Sequence, residues 1–300
     1  FVTMSYEEFN KFKELPEVVC IMNRDNNTSL KDAFKEFIMN ADELLKYSNG
    51  KINLYKTGEP KLTALKLFDE MTRYMHPEHI TNEEAKWINA SSTSALIFAE
   101  AYEGPAYKYD IKSFYPSIMR NCRNRFPISK GEFKTLQELN YKHIEFGIYR
   151  VEIIGHHKLF KINKENYYTN YDVCLAKKLN FEINLIQDNT PNFLHYNNTK
   201  TTFGSILFKE YIDLLYVMKE KHGLRYAKLI LNVLWGALCE KKFKVMKFKQ
   251  DDEFEVRNAR ILLLVPSIDE TKFTIYLEKY NDIKYQTNYA RIKPFILGCG

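Results

Sequence analysis

The sequence predicts an α+β fold: a mostly helical segment, followed by antiparallel sheet mixed with helices. Two observations carry this. The first hundred residues repeat apolar side chains at helical spacing, and from Ala106 onward strand-like alternation appears between shorter helical stretches. A third observation limits the alternatives, since no internal repeat or low-complexity segment interrupts the chain.

Residues 28–47 place Leu30, Ala33, Phe34, Phe37, Ile38, Ala41, Leu44 and Leu45 three and four apart, which marks an amphipathic helix. Thr28 or Ser29 serves as its N-cap, and Ser48-Asn49-Gly50 turns the chain out of it. A second helix is expected over about 60–73. A third, over about 82–101, opens at Thr81 or Asn82 with Glu83 and Glu84 in its first turn, where acidic groups favour the helix dipole. Lys108-Tyr109-Asp110-Ile111-Lys112 then reads as the end of a strand. A helix follows, with Pro116 suited to its first turn. Residues 145–154 alternate as a strand should, with 159–163 as a pairing candidate. Residues 171–188 hold a short helix and a strand. Residues 202–239 form a long helical stretch, broken at Lys221-His222-Gly223-Leu224. Strands are expected at 242–249, 255–265 and from Phe273, and a closing helix from about Tyr289 despite Pro294.

Composition excludes several classes. The 300 residues fit two domains of about 150 each, or one large irregular domain. At 45% hydrophobic and 27% charged, with eleven Gly and nine Pro, the chain is neither disordered nor collagenous. The net charge of +6 is mild, so it fits a nucleic-acid partner without requiring one. The five cysteines, Cys20, Cys122, Cys174, Cys239 and Cys299, stand far apart. None pairs at zinc-site spacing, and isolated thiols fit a reducing, intracellular compartment. No apolar run nears the roughly 20 residues of a membrane span, so no membrane partner is expected. The opening residues lack a secretion signal. Because the chain starts at Phe1 and stops inside an apolar run, it is expected to be part of a longer polypeptide.

The chemistry concentrates in two segments. Tyr109-Asp110-Ile111-Lys112-Ser113-Phe114-Tyr115-Pro116-Ser117-Ile118 puts a carboxylate at a strand tip, just before the backbone amides of Ser113, Phe114 and Tyr115. Oxygen ligands suit Mg²⁺, which keeps coordination sites for substrate phosphates, and free amides at a helix start attract phosphate. The alternative is a strand–turn–helix in which Asp110 only caps the turn. In the second segment, Lys228, Asn232 and Gly236 stand four apart and drift only about 40° around a helix per step. They form one polar stripe, while Leu229, Ile230, Val233 and Leu234 face elsewhere. A Lys there can neutralise a triphosphate, and Gly lets a bulky partner approach. The alternative is a core helix with a solvated Lys and a tolerated Gly. His76 and His79, His156-His157 and the Lys-rich stretch 240–249 fit ordinary loops and a solvated hairpin face. The last could also track a phosphate backbone.

Asp110 to Ile118 resembles the D-x-x-S-L-Y-P-S motif A of family B DNA polymerases, and Lys228 to Gly236 resembles their K-x-x-x-N-S-x-Y-G motif B. The 118 positions between Asp110 and Lys228 fit that family. Tyr102-Glu103-Gly104-Pro105 is similar to the Y-x-G-G segment that grips primer-template DNA. The resemblance is nearest to protein-primed polymerases of viruses and linear plasmids. It covers residues 101–300 well and 1–100 loosely. Asn23-Arg24-Asp25 resembles the last exonuclease motif with Ile21 in place of its Tyr, so Asp25 is either an exonuclease remnant or a helix-capping Asp. Val233 replaces the usual Ser, Trp235 the usual Tyr, and Pro105 the second Gly. The second metal-binding Asp of a Y-x-D-T-D-S hairpin has only Asp251-Asp252 as a nearby candidate, without the apolar strand before it. That hairpin is expected beyond Gly300, and these 300 residues alone are expected to bind DNA without extending it.

The resemblance implies a palm of antiparallel sheet with helices, plus helical fingers. The expected parts are the end of an exonuclease-like domain with its linker (1–100), first palm part (101–205), fingers (206–241) and second palm part (242–300). An insertion of protein-primed members would fall within 125–205. It further implies DNA-directed DNA polymerase activity in replicating a viral or plasmid-like element. The substrates would be deoxynucleoside triphosphates, with primer-template DNA or a terminal protein primer. Two Mg²⁺ ions, or Mn²⁺ in their place, would be held by Asp110 and the backbone carbonyl of Ile111. Ser113, Phe114, Tyr115, Lys228, Asn232 and Lys219 would bind nucleotide, with Tyr115 beneath its sugar. Tyr102, Gly104 and Gly236 would face DNA. Two rivals remain: a catalytically inactive relic that only binds nucleic acid or a partner, and a reverse-transcriptase-like palm, which lacks the motif B helix at this spacing.

Overall fold

The computed structural model describes residues 29–93, 96–249, 259–266, 272–279 and 282–299. Asp25 and Asp251-Asp252 lie outside them. The chain divides into two units, one of residues 1–73 with 209–234 and one of 74–208 with 235–300.

In the first unit, α1 (Leu30–Tyr47) begins where Ser29 Oγ accepts the Asp32 amide. It buries Phe37, Ala41 and Leu44. Asn49 and Gly50, both at positive φ, turn the chain out of it, as the sequence predicts. The short α2 (Leu54–Thr57), not anticipated from the sequence, is capped by Asn53. Helix α3 (Pro60–Met71) carries its proline at the first position, where no amide is needed. It buries Ala64, Leu67 and Phe68, and Phe68 meets the ring of Tyr211 edge-on.

The predicted long helical stretch resolves into α7 (Gly204–Leu207) in the second unit, then α8 (Lys209–His222) and α9 (Arg225–Leu238). Gly223 at φ 67° makes the break between the last two. The buried Tyr211 hydroxyl donates to the Ile230 carbonyl at 2.7 Å and ties α8 to α9.

The second unit is built on antiparallel sheets. Helix α4 (Asn82–Ser91) starts at Thr81, whose hydroxyl accepts the Glu84 amide. It ends ten residues sooner than the spacing predicts. The hydroxyls of Ser91 and Ser92 donate to the carbonyls of Trp87 and Ile88, taking over the last-turn acceptors. Helix α5 (Phe114–Arg120) comes next. The main sheet has the order β2 (Glu132–Lys134), β6 (Phe193–His195), β3 (Gly147–Ile154), β4 (Tyr167–Thr169), and β5 (Glu182–Leu185) also pairs with β3. The predicted partner, 159–163, forms no strand. Its Phe160 instead enters the core with Tyr149, Val151, Tyr168, Val173 and Phe193, under α6 (Asn170–Lys178). A two-stranded pair joins β1 (Arg125–Pro127) to β7 (Thr201–Phe203). Strands β8 (Lys244–Lys249), β10 (Lys272–Lys279) and β9 (Ala259–Pro266) form a third sheet in that order. The chain closes with a 3₁₀ turn, Asn288–Ile292, and α10 (Lys293–Cys299).

One buried ion pair locks this unit. Arg291 and Glu84 are both fully buried and meet in a two-pronged contact, Nε to Oε1 at 2.7 Å and Nη2 to Oε2 at 2.8 Å. Tyr196 Oη donates to the same Oε1 at 2.9 Å, and Arg291 also donates to the carbonyls of Glu78, His79 and Asn288. Removing one partner of a buried pair strands the other charge, at about 3–5 kcal/mol. Arg291→Ala is therefore expected to lower the melting temperature by on the order of 10 °C, at about 2–4 °C per kcal/mol. Calorimetry or circular dichroism reads this, and a shift of only a degree or two would deny the pair its central role.

Candidate nucleotide and DNA site

Residues 108–112 do not form the predicted strand. Alternation there resembles a strand, but pairing requires a neighbour, and none of the described strands takes this stretch as a partner. Tyr107, Tyr109 and Ile111 stand 64–89% exposed. Asp110 is exposed too, and its carboxylate makes no hydrogen bond or ion pair among the described residues.

The helix after it is firmly placed. Ser113 adopts the left-handed conformation (φ 53°, ψ 45°) and turns the chain into α5, which starts two residues earlier than Pro116 suggests. Pro116, Ile118 and Met119 are buried. The far end of α5 is pinned where Asn124 Nδ2 donates to the Ile118 carbonyl at 2.9 Å. Gly204 packs there as well, since a methyl group on it would collide with the Met119 carbonyl. The first-turn amides of α5 have no intrahelical acceptor.

Phe114 and Tyr115 stand half-buried at the head of α5. The Tyr115 ring lies 4.8 Å from that of Trp235 at an interplanar angle of 34°, and 5.4 Å from Phe114 at 59°. Both aromatic residues line a cavity of about 360 Å³ together with Asp172, Leu175, Pro294 and Gly298. Asp172 closes a capping box on α6, its Oδ2 accepting the amide and hydroxyl of Thr169 at 2.8 and 2.6 Å. Desolvation raises the pKa of this carboxyl above its ordinary range. Sequence reasoning missed both Asp172 and the Trp235 contact. The Thr169-x-x-Asp172 pattern could have signalled the capping box, but nothing local signals the cavity.

Along α9, Lys228, Asn232 and Gly236 are all exposed on one stripe, as their spacing predicts. Ile230 and Leu234 are buried, but Leu229, expected to face away from the stripe, is 42% exposed. It adds an apolar group to the open side. Apart from its chain neighbours and its own helix backbone, no described atom lies within 4 Å of where a Gly236 Cβ would stand. Lys219, on α8, pairs with Glu220 at 3.3 Å and lies over the Tyr216 ring. Tyr102 is 72% exposed and donates its hydroxyl to the Pro105 carbonyl at 3.1 Å, closing a small loop around Gly104.

Asp110 and the Ile111 carbonyl offer the oxygen donors a hard divalent ion prefers. Among the described residues, however, no three His, Cys, Asp or Glu side chains gather to hold a metal.

The family model for "DNA polymerase type B, organellar and viral" matches residues 28–294. The chain belongs to this family of nucleotidyltransferases, whose members use divalent metals and take template, primer and deoxynucleoside triphosphates. No match was found among curated proteins or solved structures. Among the described residues no helix is long and apolar enough to cross a membrane.

Glycine inside a helix costs about 1 kcal/mol relative to alanine, and no neighbour among the described residues requires one at position 236. Gly236→Ala is expected to raise the melting temperature by about 2–4 °C while weakening primer-template binding, measured by fluorescence anisotropy. A stability gain with unchanged DNA affinity would remove Gly236 from the DNA-facing surface.

Proposed function

We propose that this chain forms the palm and fingers of a template-dependent DNA polymerase that extends a primer 3′-OH or a protein primer during replication of a viral or plasmid-like element. The observation that most supports this reading is the ring contact between Tyr115 and Trp235, which joins motif A to motif B. Residues 101–205 and 242–300 make the palm, 206–241 the fingers, and 1–100 the end of an exonuclease-like domain with its linker. The isolated cysteines fit action in a reducing, intracellular compartment.

Each residue then has a role. Asp110 and the Ile111 carbonyl hold a divalent ion, Mg²⁺ or Mn²⁺. Such an ion, when bound, supplies neutralisation of the phosphate charge and a more acidic 3′-OH. Lys228, together with Lys219, neutralises the triphosphate, and the α5 amides from Ser113 to Tyr115 donate to its oxygens. Asn232 shapes the pocket for the incoming base pair. Tyr115 lies beneath the sugar, with Phe114 beside it. Tyr102, Gly104 and Gly236 face primer-template DNA.

In the full-length protein, Asp110→Ala should abolish primer extension and leave DNA binding largely intact. Lys228→Ala should raise the nucleotide KM at least about tenfold, because a charge-assisted phosphate contact contributes about 1.5–3 kcal/mol. An unchanged KM with lost DNA affinity would reassign Lys228 to the template surface. A wild-type protein that binds DNA but never extends a primer would favour the inactive binding module.

Tyr115→Val should raise ribonucleotide over deoxynucleotide incorporation by on the order of 10–100-fold, because a 2′-OH then meets a smaller side chain. The expected loss of deoxynucleotide use is modest. An unaltered ratio at equal folded protein would remove Tyr115 from the sugar site.

A further inference from the structure

We propose that the cavity beside the head of α5 binds a small organic ammonium, a protonated amine on an aromatic or aliphatic body, with Asp172 as its counter-charge. This site stands whether or not Tyr115 meets a nucleotide sugar. At about 360 Å³ the cavity lies near the lower end of the roughly 300–1,000 Å³ of ligand sites, so it admits a small molecule. Its walls come from stretches far apart in sequence. Leu159 and Phe160 follow β3, Leu175 stands on α6, and Pro294 and Leu297 on α10. Such walls suit an apolar body. The rings of Phe114 and Tyr115 complete the lining, and aromatic faces also attract a cation.

Two charged side chains line the cavity, Asp172 and Lys161. Lys161 is exposed, so water already solvates its charge. Asp172 differs. Its Oδ2 accepts the Thr169 amide and hydroxyl, while its Oδ1 makes no hydrogen bond or ion pair with a described residue. The surrounding protein desolvates this carboxyl and pushes its pKa up. A desolvated acid carries its charge at a cost, and an ammonium brought beside it supplies the partner that water does not. The capping box already holds the carboxyl in one orientation, so binding sacrifices little side-chain freedom there. Lys161 sets a second condition: the ammonium belongs at the Asp172 end of the cavity, away from a like charge.

Three probes of nearly one shape test this by isothermal titration calorimetry on the full-length protein: 2-phenylethylamine, 2-phenylethanol and phenylacetate. The amine should bind at least about tenfold tighter than the alcohol, because a hydrogen bond between charged groups is the stronger kind. This comparison needs no variant. Asp172→Asn keeps an acceptor for the Thr169 amide and hydroxyl, so the cap survives, and it should bring the amine down to the affinity of the alcohol. Leu297→Trp, outside the Thr169–Asp172 cap, fills the cavity and should abolish binding of the amine. Circular dichroism checks that both variants are folded. An amine that gives no heat at millimolar concentration, or binds no tighter than the alcohol, would overturn the proposal. So would an amine affinity that survives either variant. Tightest binding by phenylacetate would make Lys161 the recognising charge and would equally overturn it.

Discussion

Glu84 and Arg291 stand 207 positions apart and meet without access to water. Desolvating two charges costs several kcal/mol per ion, so such a pair survives only with excellent geometry and satisfied remaining donors. Both conditions hold. The guanidinium fork meets the carboxylate with two bonds, its other protons reach backbone carbonyls, and the Tyr196 hydroxyl takes a further lone pair. The consequence is geometric. Glu84 fixes α4, and Arg291 fixes the 3₁₀ turn that leads into α10. Ser91 at the end of α4, with Pro294 and Leu297 on α10, forms walls of the cavity beside Tyr115. A buried charge pair far from the site in sequence thus sets the space that its central ring faces.

Within that frame, the motif A segment splits into a rigid part and a solvated part. From Pro116 onward α5 is anchored by its buried face and by Asn124 and Gly204. The stretch through Asp110 lies in water. A hydrated carboxylate can accept a divalent ion that retains its own waters, which is how Mg²⁺ usually binds. The aromatic residues Phe114 and Tyr115 are therefore placed by the packing of α5, while the carboxylate proposed to hold a metal lies on an exposed segment.

What the sequence revealed follows the range of the interactions involved. Ser29, Thr81, Pro60 and the Gly223 break act over a few residues, and the helices they bound were legible. So was the stripe of Lys228, Asn232 and Gly236, which helix geometry alone defines. Most of the failures involve partners elsewhere, and one a local competition. Residues 108–112 carry strand-like alternation but have no described neighbour to pair with. Residues 159–163 lost the place beside β3 to β4, β5 and β6, and gave Phe160 to the core instead. Helix α4 stopped early because two serine hydroxyls competed for its carbonyls. The contact of Tyr115 with Trp235 spans 120 positions, so no local pattern could announce it.

The two departures from motif B also point one way. Val233 and Trp235 each replace a hydroxyl-bearing side chain of the family pattern, and both are half-buried in α9. A serine at 233 could bond back to a helix carbonyl and bend α9, whereas a β-branched valine holds one rotamer. At position 233 the effect is a helix turn without a competing hydroxyl. An apolar pocket discriminates only weakly, by about a hundredfold, against a molecule that merely adds a hydroxyl. On the proposed reading, selection at Tyr115 comes from the bulk of its ring filling the place of a 2′-OH rather than from apolar character alone.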